Sequence, residues 1–64
     1  MKAQRVESLS TGDQLQDVCD GAWCSIVSVS LLRSGMVRLD VEDEQGRPRR
    51  LTYQAGALRV ARKV

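Results

Sequence analysis

The residues best suited to chemistry crowd into the end of this chain. Arg47, Arg49, Arg50, Arg59, Arg62 and Lys63 fall within residues 47–64 with no acid among them, a local balance of +6. Residues 1–46 carry four basic and eight acidic side chains, a balance of −4. A guanidinium is a planar fork that meets a phosphate or carboxylate with two parallel hydrogen bonds. Arg47, Arg49 and Arg50 flank Pro48 at an expected hairpin tip, where three such forks can straddle a phosphate backbone. Arg59, Arg62 and Lys63 extend the stripe along the last strand. These six are the candidate nucleic-acid-binding residues. Binding of this kind is weak, sequence-tolerant and salt-sensitive, because it draws on counterion release. A plainer reading competes with it: the basic last strands pair in space with the acidic earlier ones, since opposite charges on facing strands attract.

Other chemistry is sparse. There is no His, which removes the commonest general base and a common metal ligand. Cys19 and Cys24 have no further Cys or His to complete a tetrahedral zinc site. They read as reduced thiols, Cys24 buried and Cys19 near a turn. The run Glu42-Asp-Glu44 precedes a Gly-Pro corner and reads as a solvated loop without the spacing of a calcium loop. No phosphate-binding glycine loop is present. We therefore expect no catalytic residue, no metal and no cofactor. Trp23 and Tyr53 are the only aromatic residues. That is too few for a proline-peptide groove or a methyl-lysine cage in one chain. They are instead candidate interface residues, Trp23 either capping the fold or anchoring a partner.

The elements that must position these groups are strands. Sixty-four residues make one domain with a thin core. With no Phe, that core rests on Val, Leu and Ile, which favours pleated structure. Met36-Val-Arg-Leu-Asp-Val-Glu42 alternates apolar and charged residues and is the clearest half-buried strand. Gly12-Asp13, Asp20-Gly21, Arg33-Ser-Gly35 and Glu44-Gln-Gly46-Arg-Pro48 read as corners. Between them lie a short strand at 14–18 and a long one at 22–32. A strand at 50–53 and a last strand at 58–62, with Leu58 and Val60 on one face, complete the set. Trp23, Ile26 and Val29 are spaced by three, whereas Val27, Val29 and Leu31 are spaced by two. A bulge near Ser25 would reconcile the two periods. Ala55-Gly-Ala57 suits one 3₁₀ turn. The expected fold is all-β: a small five-stranded SH3-like barrel with a single 3₁₀ turn before the last strand, spanning 1–64, with residues 1–8 a loosely ordered arm.

Gly12-Asp13, Gly21-Ala-Trp23 with Ile26-Val27, and Tyr53 followed by Ala57-Leu58 resemble the skeleton of the plasmid-encoded, trimethoprim-resistant dihydrofolate reductase family. That resemblance implies an SH3-like barrel and a homotetramer around one pore, in a family that carries no catalytic His. The family's pore strand reads Val-Gln-Ile-Tyr, and Arg50-Leu-Thr-Tyr53 keeps only its Tyr. Leu51 stands in place of the paired glutamine, and Arg50 would set four like charges near one axis. The resemblance thus implies shared barrel architecture, with a homotetrameric pore reductase as the remote functional alternative.

No run of 18 apolar residues is present, so no membrane-spanning helix is expected, and the start of the chain lacks an apolar leader core. The expected setting is cytoplasmic. The excess of Arg over Lys fits a GC-rich coding genome, bacterial or phage. The function expected from sequence is a non-enzymatic, accessory or regulatory binding module that contacts nucleic acid through the basic hairpin and last strand. The alternative is a protein-interaction or structural module using exposed edge strands and Trp23, with homo-oligomerisation as one form of it.

Overall fold

The structure, a computed structural model, describes residues 2–16 and 21–63. It is all-β, with six strands rather than five: β1 (Lys2–Arg5), β2 (Gln14–Gln16), β3 (Trp23–Leu31), β4 (Met36–Glu42), β5 (Pro48–Gln54) and β6 (Leu58–Arg62). They form one sheet in the order β1-β6-β2-β3-β4-β5, every neighbouring pair antiparallel. Among the described residues no pairing between β1 and β5 closes it, so the sheet is open and six-stranded where a five-stranded barrel was expected.

The sixth strand comes from the segment expected to be a loose arm. Lys-Ala-Gln-Arg has no apolar alternation to announce it, yet Ala3 faces Val60 and Arg5 faces Leu58 in the ladder with β6. What anchors it follows immediately. Val6 is fully buried, and its N–H donates to the Ala57 carbonyl at 3.0 Å. The 3₁₀ turn is here, at Val6–Ser8, and not before the last strand. At 55–57 the backbone instead makes a tight turn, with Ala57 N–H on the Gln54 carbonyl at 3.1 Å. Gly56 takes φ +90°, which a right-handed 3₁₀ repeat cannot accommodate.

The core lies on the concave face. Leu15, Cys24, Ile26, Val37, Leu39, Val41 and Ala61 come from the middle of the sheet, and Val6 and Leu9 cover one end. Burying each Val, Leu or Ile side chain contributes about 1.5–3 kcal/mol, so the folded state rests on very few residues. The bulge occurs at Val27, two residues beyond the expected Ser25: Ile26 pairs with Val41 and Ser28 with Asp40, leaving Val27 unopposed. The 10–13 loop fills the gap. Gly12 N–H donates to the Ile26 carbonyl, Ile26 N–H to the Asp13 carbonyl, and Thr11 Oγ1 to the Val27 carbonyl. The extra residue returns Val29 to a position opposite Leu39, on the core side.

Beyond the bulge three strands build aligned rows on that face. Val29, Leu39 and Leu51 stand side by side, and Leu31, Val37 and Tyr53 make the next row. In each row exposure is lowest on β4 and rises to both sides. Val37 and Leu39 are buried, Leu51 and Tyr53 are half-buried, and Leu31 is 74% exposed at its strand end. The core therefore thins on both sides of β4, toward the β5 margin and toward the far end of β3. In β6 the orientation differs from a simple apolar-inward reading: Ala61 is buried and Arg59 half-buried, while Leu58 and Val60 share the exposed face. Residues 17–20, which hold Cys19 and half of the expected Asp20-Gly21 corner, lie outside the described residues.

Candidate interaction surfaces

The hairpin joining β4 to β5 carries the first three candidate residues and distributes them among different partners. Arg47 is folded back onto its own turn. Its Nε donates to Asp43 Oδ2 at 3.2 Å, its backbone N–H to Asp43 Oδ1 at 2.9 Å, and its Nη2 to Gln45 Oε1. Asp43 thereby organises the turn, and these donors, led by the Arg47 N–H, hold its carboxyl below the usual range. Arg50 projects from the outer face opposite Asp40, with Nε 2.9 Å from Oδ1. Asp40 also accepts from Ser28 Oγ at 3.0 Å, and Arg50 and then Ser28 lower its pKa. Arg49 stands opposite Val41, one residue out of phase with Arg50, so the pleat sends it to the other face. The three guanidinium groups do not form one fork. A shallow open cleft beside them is walled by Val27, Pro48, Arg49, Arg50 and the carboxylates of Asp40 and Glu42.

The remaining three are likewise drawn into the fold. Lys63 forms an ion pair with Asp13 at 3.1 Å and also donates to the Ser8 carbonyl. Asp13 is buried, and its carboxylate accepts from the Ser10 N–H at 2.9 Å, so Lys63 ties the chain end to the 10–13 loop. Arg62 lies over the Trp23 ring, 3.9 Å from guanidinium carbon to centroid, and its Nε reaches Gln14 Oε1 at 2.7 Å. Trp23 is half-buried under that group, and its backbone N–H donates to Glu44 Oε1 at 3.3 Å. Arg59 points from β6 toward the inner side and covers Tyr53 of β5, 4.7 Å from the ring centroid. Its Nη1 donates to the Leu58 carbonyl, while its Nε is buried with no hydrogen-bond partner among the described residues.

Tyr53 and Arg59 mark the feature that no reading of single residues announces, a seam between the β5 margin and β6. Strand β5 is seven residues long and pairs with β4 along its whole length. On its other side no strand of the described chain pairs with it. Its residues alternate across the pleat: Leu51 and Tyr53 are half-buried against the core, and Arg50, Thr52 and Gln54 are exposed. Below the seam, Glu7 Oε1 accepts from the Gly56 N–H at 3.0 Å and latches the 3₁₀ turn to the β5–β6 turn. Its own backbone N–H, and then that of Gly56, holds the Glu7 carboxyl below its usual range. Among the described residues no three His, Cys, Asp or Glu side chains cluster as a metal site, and no helix is long and apolar enough to cross a membrane.

No protein-family model, curated protein or solved structure matches this chain.

Proposed function

We propose that this protein is a non-enzymatic interaction module that binds an extended protein segment along the open edge of β5. One observation carries the reading. Over residues 50–54 the strand has no second strand beside it, so its outward backbone donors and acceptors line an open edge next to half-buried Leu51 and Tyr53. An added strand takes its affinity from such an edge and its specificity from the alternating side-chain positions. Proteins blunt long free edges because they recruit other chains. Here the protections are Pro48 and Arg49-Arg50, all at the start of the strand, and residues 51–54 carry neither Pro nor charge.

The nucleic-acid reading has less support. Phosphate contact needs cations free to turn outward, whereas Arg47, Arg50 and Lys63 are each engaged by a carboxylate. The cleft beside the hairpin also sets Asp40 and Glu42 where a phosphate chain would run. The reductase alternative retains only the Tyr53 position of the pore strand.

Selection from a displayed library of random extended peptides tests the proposal, with bound peptides mapped by backbone NMR shifts. Peptides that perturb residues 49–54 and protect their amides support it. Peptides that map elsewhere contradict it. So does low-salt binding of labelled single-stranded DNA that is abolished by charge reversal at Arg47, Arg49 and Arg50.

A further inference from the structure

The pattern of side chains along β5 narrows the partner, and this inference rests on the edge reading above. We propose that one occupant of the β5 edge is the β5 strand of a second copy, paired antiparallel about a two-fold axis through Thr52.

When two copies of one strand continue a sheet antiparallel, residues directly opposite share a face. Outer residues must therefore meet outer residues, and inner must meet inner. Of the registers that satisfy this, the three that pair five or more residues of each strand have Arg50, Leu51 or Thr52 opposite itself. An Arg50 centre stacks like guanidinium charges, which is repulsive. A Leu51 centre draws Pro48 into the ladder opposite Gln54, where its missing N–H leaves a gap. A Thr52 centre has neither fault. It sets Leu51 against Tyr53 of the other copy twice over and Thr52 against Thr52. It also faces Arg50 with Gln54 at both ends and leaves Pro48 outside. Aliphatic–aromatic and Thr–Thr pairs are favoured cross-strand neighbours.

Burial points the same way. Leu51 and Tyr53 are the half-exposed ends of the two core rows, so a second β5 would extend both rows across the axis. The other free edge of the sheet, β1, is a poorer match. Lys-Ala-Gln-Arg has no large apolar residue to extend the Leu51 and Tyr53 rows. A β1–β5 contact between copies would also be head-to-tail, which propagates, whereas the β5–β5 contact closes at two.

Sedimentation equilibrium over a wide concentration range, combined with residue-resolved amide exchange, tests this in the full chain. Three proteins are compared: wild type, Thr52→Lys and Thr52→Val. Thr52 is exposed, so both variants are expected to fold. Wild type should pass from monomer to dimer with added protection confined to 50–54. Thr52→Lys sets two ammonium groups against each other on the axis and should weaken the dimer by about tenfold or more. Thr52→Val, β-branched and uncharged, should retain it. A monomer at every concentration overturns the proposal, as does a dimer indifferent to Thr52→Lys. Wild type diluted below the concentration at which it dimerises separates the two readings. If it binds library peptides along β5, the interaction module survives whatever becomes of self-pairing; if it binds none there, the edge reading itself fails.

Discussion

Arg59 of β6 lies over the ring of Tyr53 of β5, 4.7 Å from its centroid, and this contact spans a seam that no strand pairing closes. The β5 margin of the curled sheet is held near an inner strand, β6, by a side chain rather than a ladder. The contact covers part of the core without adding a second ladder to β5. Tyr53→Leu keeps an apolar residue at the end of its row but removes the face on which the guanidinium rests. Stability should fall by about 1 kcal/mol, read as a lower urea midpoint at unchanged slope. No loss of stability would mean that the contact does not brace the seam.

A second stacked pair, Arg62 on Trp23, reports on the opposite face of the sheet. Trp23 is the only Trp in the chain, so its emission is a direct probe. Arg62→Ala should shift the native emission to the red and increase quenching by acrylamide, with a loss of about 0.5–1 kcal/mol in stability. Unchanged emission would mean that Trp23 is shielded by other groups.

Three carboxylates give the acid limb of stability a definite sign. The pKa of Asp40 is lowered chiefly by Arg50, that of Asp43 chiefly by the Arg47 N–H, and that of Glu7 chiefly by backbone N–H groups. A group whose folded pKa is depressed contributes stability that is complete above its unfolded value, about 4 for these side chains. That contribution is lost as the pH falls through the lower folded values. Stability should therefore be flat from neutral pH down to about pH 5 and decline below about pH 4. Asp40→Asn should flatten part of that decline in urea titrations at successive pH values. An unaltered acid limb in that variant would contradict the role given to the Arg50 ion pair.

Leu39 is buried between Val29 and Leu51 at the centre of its row. Leu39→Ala should cost about 2–5 kcal/mol, comparable to the whole stability of so small a domain. The variant should lose most strand signal in circular dichroism at 37 °C. Retention of a cooperative transition within a few degrees of wild type would show that the core lies elsewhere.

What the sequence made legible follows from pattern strength. The alternation of 36–42 marked β4, and all-β structure follows from abundant β-branched residues between glycine corners. The mixed spacing of Trp23, Ile26, Val27 and Val29 required a bulge, although its position depends on which residue the 10–13 loop contacts, a long-range matter. β1 was hidden because Lys-Ala-Gln-Arg has no apolar face of its own and is held by β6 and by burial of Val6. The 3₁₀ turn was misplaced for a related reason, since only packing reveals that Val6 and Leu9 cover the core end while Gly56 takes a positive φ. The basic residues were easy to find and their partners were not. Asp13 and Lys63, or Asp40 and Arg50, meet only through strand register. The free β5 edge is a property of topology, which no local pattern encodes.

Strand addition requires β5 to be open on one side in the single copy. Residue-resolved amide exchange in dilute solution, below any self-association, tests this directly. Every second amide of 49–54 should exchange rapidly, while its neighbours bonded to β4 and the amides of β3, β4 and β6 remain protected. Uniform slow exchange along β5 in the monomer would mean that a strand of the same chain closes the sheet, and the proposed edge would not exist.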